Sequence, residues 1–167
     1  KVNDITMTIG MGHLQKGHAI SFGDFDNDGD QDVFQQMGGA KKVDKFRDAL
    51  YANPGFNNNW IKIRLEGVQS NRSAIGAKIK ITLDQGNQHI YRSINTGGSF
   101  GANSLQQHIG IGSITIIDEL EIFWPTSNTT QTFRNLRSNQ SIQIREGEKS
   151  YKTTDEPLFS YDVYLED

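Results

Sequence analysis

Five aspartates alternate with other residues in the segment GDFDNDGDQD, which begins at Gly23. Carboxylates this close repel one another unless a cation lies among them. Hard oxygen ligands on a flexible loop suit Ca²⁺, with Asp30 also able to offer its backbone carbonyl. The sequence therefore predicts a calcium site with Ca²⁺ as its cofactor. The candidate metal ligands are Asp24, Asp26, Asp28, Asp30 and Asp32.

The glycine within this segment helps to identify the kind of loop. Gly29 is the sixth residue counted from Asp24, where a calcium loop must turn sharply. An EF-hand would also need a bidentate Glu at position 12 and two flanking helices, but Gln35 occupies that position. The flanking segments HAISF and DVFQQM resemble strands. The pattern favours a loop between two strands, and the alternative is a solvated acidic turn that binds nothing.

A second chemical candidate is GGSFG, residues 97–101, which matches the G-x-S-x-G pattern of serine hydrolases. Its nucleophile would be Ser99. The following segment GANSLQQHIGIG offers no amphipathic helix, and His108 lies only nine residues on with no later histidine. These features favour a glycine-rich turn and a protein that is not an enzyme, so a serine hydrolase using Ser99 is the weaker alternative.

The segments that must position these residues show period-two alternation of apolar and polar side chains. WIKIRLEG and AKIKITL are the clearest examples. Similar segments separated by Gly, Asn, Ser and Asp predict an all-β fold, an antiparallel β-sandwich or barrel-like domain with an N-terminal β-hairpin unit. The other predicted strands are HAISF, DVFQQM, QHIYRSI, ITIIDELEIFW, TQTFRNL and SIQIREG. Only VDKFRDALY, residues 43–51, has helical spacing, and a short helix there is an open alternative.

The turn-rich stretch NPGFNNN indicates a boundary after the Asp-rich unit. We expect residues 1–53 to form the unit with the calcium loop and residues 54–149 to form the main β domain. Residues 150–167 form a C-terminal tail, which is compatible with either a final strand or a packed segment.

Composition narrows the functional classes. The 167 residues carry a net charge of −3, and the 17 Lys and Arg residues are scattered, so no nucleic-acid partner is expected. No apolar run is long enough for a membrane span, and KVNDITMTIG does not resemble a signal peptide, so any export signal is expected to have been removed or to lie upstream. The absence of cysteine excludes disulfides and thiol chemistry.

Two ordered sets of motifs resemble known families. GHAISFGDFDNDGDQDVFQQMGG resembles an FG-GAP or VCBS-type repeat, in which a D-x-D-x-D-G-x-x-D loop between two strands holds Ca²⁺. Downstream, NNWIKIRLEGVQSNRSAIGAKIKI, HIGIG, LEIFWPTS and NQSIQIREG resemble the ASPIC/UnbV domain of cartilage acidic protein and its bacterial relatives. The resemblance covers about residues 1–147. One departure is WPTSNTT, which lacks the glycine that the family has in this turn.

The resemblance implies a role as well as a fold. FG-GAP repeats stack as propeller blades, so residues 1–53 would be a partial blade or an adapted hairpin pair, and further blades of the same parent chain would lie upstream. Family members are mostly extracellular or exported and are not established enzymes. We therefore expect a non-catalytic calcium-binding module that mediates adhesion or interaction with a protein or glycan partner. A carbohydrate-binding module is an alternative that would need exposed aromatic side chains; Trp60 and Trp124 are candidates, although core packing is favoured for both.

Overall fold

The computed structural model describes residues 2–13, 16–39, 43, 45–98 and 104–158. Within these residues the fold is all-β, as predicted, and its only helical feature is a short 3-10 turn at Asp84–Gly86. The strands are β1 (Gly17–Gly23), β2 (Asp32–Met37), β3 (Ala49–Tyr51), β4 (Asn59–Glu66), β5 (Lys78–Leu83), β6 (Gln88–Ser93), β7 (Gln107–Gly112), β8 (Ile116–Trp124), β9 (Thr129–Arg137), β10 (Gln140–Arg145) and β11 (Lys152–Thr154).

The chain divides into two compact units, with the boundary between Gly55 and Phe56. An antiparallel three-stranded sheet forms the centre of the first unit, in the order β1-β2-β3. The first two strands are the predicted hairpin strands, and their register places Phe22 opposite Val33. The Asp-rich segment is therefore the loop of an antiparallel hairpin.

The open helical alternative at residues 43–51 is wrong for the part that the structure describes. Its last residues form β3, which pairs with β2 and places Leu50 opposite Phe34. Just before the strand, the Asp48 carboxylate accepts a hydrogen bond of 2.8 Å from the backbone N–H of Met37. A helix this short is marginal in water, whereas the neighbouring strand supplies hydrogen-bond partners for the backbone.

The second unit, Phe56–Pro157, is a β-sandwich, and its described strands do not close into a barrel. Its two four-stranded sheets have the orders β11-β10-β4-β7 and β6-β5-β8-β9. Because side chains alternate along a strand, each sheet directs one apolar row inward, and both rows join one buried cluster. The largest fully buried side chains include Ile61, Ile63, Ile79, Ile81, Leu83, Ile109, Ile117, Leu120, Ile122 and Trp124.

One strand pair departs from the predicted antiparallel arrangement. β4 and β10 run parallel, with Ile63 opposite Ile142, while the other paired strands of the described chain are antiparallel. Parallel neighbours need a long connection between them, and here β5 to β9 supply it. Alternation reports which side chains face the core, but it carries no information on strand direction.

The described part of the C-terminal tail, residues 150–158, combines the two alternatives that the sequence left open. β11 pairs with β10, so part of the tail is a final strand. Beyond it, Glu156 forms an ion pair of 2.6 Å with Lys62 and accepts a hydrogen bond of 2.8 Å from Gln106. Among the residues that the structure describes, no helix is long and apolar enough to cross a bilayer.

Candidate functional site

Two residues with left-handed backbone conformation shape the Asp-rich loop between β1 and β2. Asn27 has φ = 62° and Gly29 has φ = 102°. Glycine reaches this region without steric cost, and asparagine is among the few other residues that tolerate it. The sharp turn expected at Gly29 is therefore present.

Carboxylates within the loop also hold its curled backbone. Asp24 accepts a hydrogen bond from the N–H of Gly29 at 3.0 Å. Asp26 accepts one from the N–H of Asp28 at 3.2 Å, and Asp28 accepts one from the N–H of Asp30 at 3.0 Å. Such Asx-type contacts bend a chain around its own acidic side chains.

Three of the five predicted ligands come together. One carboxylate oxygen each from Asp24, Asp26 and Asp28 lies within 4.8 Å of the other two. Calcium ligands lie 2.3–2.6 Å from the ion, so two ligands of one ion are at most about 5 Å apart. The spacing and the hard oxygen donors therefore fit Ca²⁺.

Asp30 is not part of this three-carboxylate cluster. Its Oδ1 is buried and has no hydrogen-bond partner among the described residues. Its Oδ2 lies so close to Gly55 that a side chain at that position would clash with it, since a Cβ there would be only 2.9 Å away. Burial, followed by repulsion from the neighbouring aspartates, raises the pKa of Asp30 to about 6. Burial is also the largest cause that raises the pKa of Asp26, again with repulsion from nearby aspartates. Mutual repulsion of the aspartates therefore acts on the ionisation of both Asp26 and Asp30.

Asp32, the last of the five aspartates, is buried, whereas the other four are at least partly exposed. It is only 1% exposed. Its carboxylate accepts the N–H of Phe25 at 3.0 Å and the N–H of Asn53 at 2.9 Å. The side chain therefore ties the start of the loop to the segment after β3, a structural role that the ligand pattern did not indicate.

The other predicted site residues form no second centre that the structure describes. Ser99 lies outside the described residues. His108 belongs to β7, and its ring centroid is 5.6 Å from that of Trp60. The Lys62 ammonium lies 5.3 Å from the centroid of the same Trp60 ring. Trp124 is fully buried in the sandwich, which confirms core packing and removes it as a stacking surface for sugars.

A buried carboxylate that the sequence interpretation missed lies directly after β10. Glu146 is 7% exposed, and hydroxyl groups of Ser70 and Ser127 donate to its Oε1 at 2.9 and 2.6 Å. Its Oε2 accepts three successive backbone N–H groups at 2.7, 2.8 and 2.8 Å, from Val68, Gln69 and Ser70. This carboxylate therefore joins the end of β10 to the loop after β4 and to the turn between β8 and β9.

Opposing effects act on the ionisation of Glu146. Burial, the largest single effect, disfavours the charged form, but the hydrogen bonds from Ser127, Val68 and Ser70 together outweigh it and lower the pKa to about 2. A sequence signal for this site does exist, because Glu146 continues the inward-facing series that begins with Ile142 and Ile144. An acid at a core-facing position requires buried donors.

The segment WPTSNTT, in which the sequence resemblance leads to the expectation of a glycine, also contains Ser127. Asn128 follows it with φ = 53°, in the left-handed region that glycine most readily adopts. Asparagine is one of the residues that tolerate this conformation. The turn therefore reaches a left-handed backbone conformation at Asn128 without a glycine at that position.

Comparison with protein families identifies a match within the second unit. Residues 67–151 match the family model described as ASPIC and UnbV. The matched range includes the Glu146 carboxylate and all of its donors, whereas the Asp-rich loop lies outside it. No curated protein matches the chain.

Proposed function

Because the chain belongs to the ASPIC and UnbV family, we propose that it is a non-catalytic β module of an exported protein. In this proposal the first unit is an FG-GAP or VCBS-type repeat that binds Ca²⁺, and the module mediates adhesion or interaction with a protein or glycan. The family match concerns the second unit, so the argument for calcium depends on the first.

The cluster of Asp24, Asp26 and Asp28 is the observation that carries the proposal. Three carboxylate oxygens within 4.8 Å of one another have the spacing of ligands around one ion. The positive φ of Gly29 and the hydrogen bonds within the loop hold these side chains close together. A bound Ca²⁺ would supply positive charge to a loop whose acids otherwise repel one another.

An exported location implies a calcium site of modest affinity. Calcium sites of extracellular modules have Kd values on the order of 10⁻⁴ to 10⁻³ M, and additional carboxylates make binding tighter. A weak site on an open hairpin loop is filled only where free Ca²⁺ is abundant. Outside the cell, such a site would serve as a permanent structural element and would not need to act as a sensor.

Apolar side chains on β1 support a partner for the first unit. Ile20 and Phe22 are two residues apart, so they lie on the same face of the strand, and they are 59% and 63% exposed. In a β-propeller, neighbouring blades cover such faces. We therefore propose that upstream blades of the same parent chain pack against this sheet.

Scanning calorimetry of metal-stripped protein, with and without added Ca²⁺, tests the calcium proposal. Ligand that binds only the folded state stabilises it, by about 2.7 kcal/mol at a hundred times Kd, so the melting temperature of the first unit should rise. Asp26→Ala and Asp28→Ala should each abolish the rise. Asp155→Asn, which changes an exposed acid outside the loop, should respond like the unsubstituted chain. A melting curve that Ca²⁺ leaves unchanged would refute the proposal.

A further inference from the structure

A polar cavity lies on the second unit, away from the Asp-rich loop. Its volume is about 440 Å³, which is within the usual range of small-molecule sites. The side chains that matter for its chemistry are Arg64, Arg72, Ser73, Ser104, Gln106 and Gln143. Such a lining offers two apolar residues, Leu65 and Leu105, beside many hydrogen-bonding groups, which suits a small hydroxylated ligand.

Arg64 occupies the middle of this lining. It lies in β4 between the buried residues Ile63 and Leu65, and alternation therefore directs it away from the core. Gln143 is beside it on β10, and Gln106 precedes β7, the neighbour of β4 on its other side. In the described part of the chain, no acidic group lies within ion-pair distance of Arg64. Its guanidinium is therefore available to a ligand carboxylate.

The two glutamines have their hydrogen-bonding orientation set by carboxylates. Gln143 donates its Nε2 to Glu66 at 3.2 Å, and Gln106 donates its Nε2 to Glu156 at 2.8 Å. Ionised carboxylates only accept hydrogen bonds, so the amide nitrogens must be the atoms directed at them. Each glutamine consequently retains its amide oxygen as an acceptor. The amide oxygens of Gln106 and Gln143 can accept hydrogen bonds from hydroxyl groups of a ligand, while the guanidinium of Arg64 between them can bind its carboxylate.

The charge of the lining favours an anion. Glu66 is the one acid in the lining, and its Oε1 lies 3.8 Å from Arg72 Nε and 3.9 Å from Arg145 Nε. Arg72 therefore offsets this carboxylate, while Arg145 is shared with Glu148, whose Oε1 lies 3.3 Å from Arg145 Nη1. The positive charge of Arg64 remains for a ligand.

We propose that this cavity binds a sugar acid, with the ligand carboxylate on Arg64 and its ring hydroxyls on the amide oxygens of Gln106 and Gln143. The proposal deepens the interaction role proposed above by naming a glycan chemistry, and in that respect it rests on that role. It does not depend on Ca²⁺, because no residue of the Asp-rich loop contributes to the cavity.

Ligand-observed NMR titration of the whole chain tests this proposal, with chelator present to exclude calcium effects. D-glucuronate is the probe, glucose supplies hydroxyls without the charge, and acetate supplies the charge without hydroxyls. Glucuronate should bind more tightly than either. Arg64→Gln should weaken glucuronate binding by at least about tenfold, because it removes a charge-assisted hydrogen bond. Arg92→Gln, on the exposed strand β6 of the other sheet, is the matched control and should leave binding unchanged.

Gln143→Met separates the sugar contribution from the charge, since it keeps the length of the side chain and removes its amide. It should weaken binding of glucuronate more than binding of acetate. Absence of glucuronate binding, equal binding of glucuronate and acetate, or an unchanged affinity in Arg64→Gln would each overturn the proposal. If glucuronate does not bind but Ca²⁺ raises the melting temperature, the sugar-acid proposal is wrong and the calcium proposal stands. If glucuronate binds as expected but Ca²⁺ leaves the melting temperature unchanged, only the calcium proposal is wrong.

Discussion

Replacement of Glu146 by Gln should destabilise the second unit while preserving the shape of the side chain. The amide can keep its oxygen toward the three backbone N–H groups of the loop after β4, and the hydroxyls of Ser70 and Ser127 can rotate to accept from its nitrogen. What is lost is the negative charge. The pKa of Glu146 is lowered from 4.5 to about 2, which corresponds to about 3 kcal/mol of stability at neutral pH.

The pH dependence of this difference follows from the direction of the shift. Because the pKa of Glu146 is depressed in the folded state, its contribution is complete above about pH 4.5 and is lost as the pH falls toward about 2. Protonated Glu146 is neutral, as Gln is. The stability gap between Glu146→Gln and the unsubstituted chain should therefore be about 3 kcal/mol at pH 7 and should narrow steadily below pH 4.5.

Urea unfolding followed by tryptophan fluorescence is a suitable assay, since both tryptophans, Trp60 and Trp124, belong to the second unit. Glu148→Gln is the matched control. Glu148 is 41% exposed and pairs with Arg145 at 3.3 Å, so its loss should cost no more than about 0.5 kcal/mol. A Glu146→Gln protein within about 0.5 kcal/mol of the unsubstituted chain at pH 7, or a gap that stays constant down to pH 2, would refute the reasoning.

Two further predictions concern packing and the loop. Ile81→Ala should cost about 2–5 kcal/mol in the same urea assay because Ile81 is fully buried, whereas Ile116→Ala, at a position 43% exposed, should cost much less; equal losses would contradict the assigned core. Asp32→Asn should destabilise the first unit by about 1–3 kcal/mol, because an amide can accept only one of the two backbone hydrogen bonds through its oxygen. Amide exchange should then accelerate at Phe25 or Asn53, and unchanged protection at both would contradict this role.

The sandwich was predictable because apolar and polar side chains alternate through β5 and through much of β4 and β7. In β5, Ile79, Ile81 and Leu83 are buried while their neighbours are not, which is the pattern visible in the sequence. The parallel pairing of β4 with β10 was not predictable from alternation, since either direction buries the same side chains. At β3, three residues were too few to distinguish helical from extended spacing, and pairing with β2 decides the conformation.

In the Asp-rich loop, too, the features set by local sequence were predictable, and those set by contacts with distant residues were not. Its turn at Gly29 and its position between two strands follow from local sequence. The buried role of Asp32 depends on Asn53, which is 21 residues away and whose backbone N–H the sequence could not place. Likewise, Glu146 is recognisable as an acid in an inward-facing position, but its donors come from two distant segments.

Isothermal titration calorimetry with Ca²⁺ on the whole, metal-stripped chain tests the central claim most directly. The account predicts saturable binding of one Ca²⁺ per chain, with Kd on the order of 10⁻⁴ M to 10⁻³ M or tighter, and loss of that binding in Asp26→Ala and Asp28→Ala. Asp155→Asn should retain it. Absence of binding in the unsubstituted chain, or unchanged binding in both loop variants, would contradict the account.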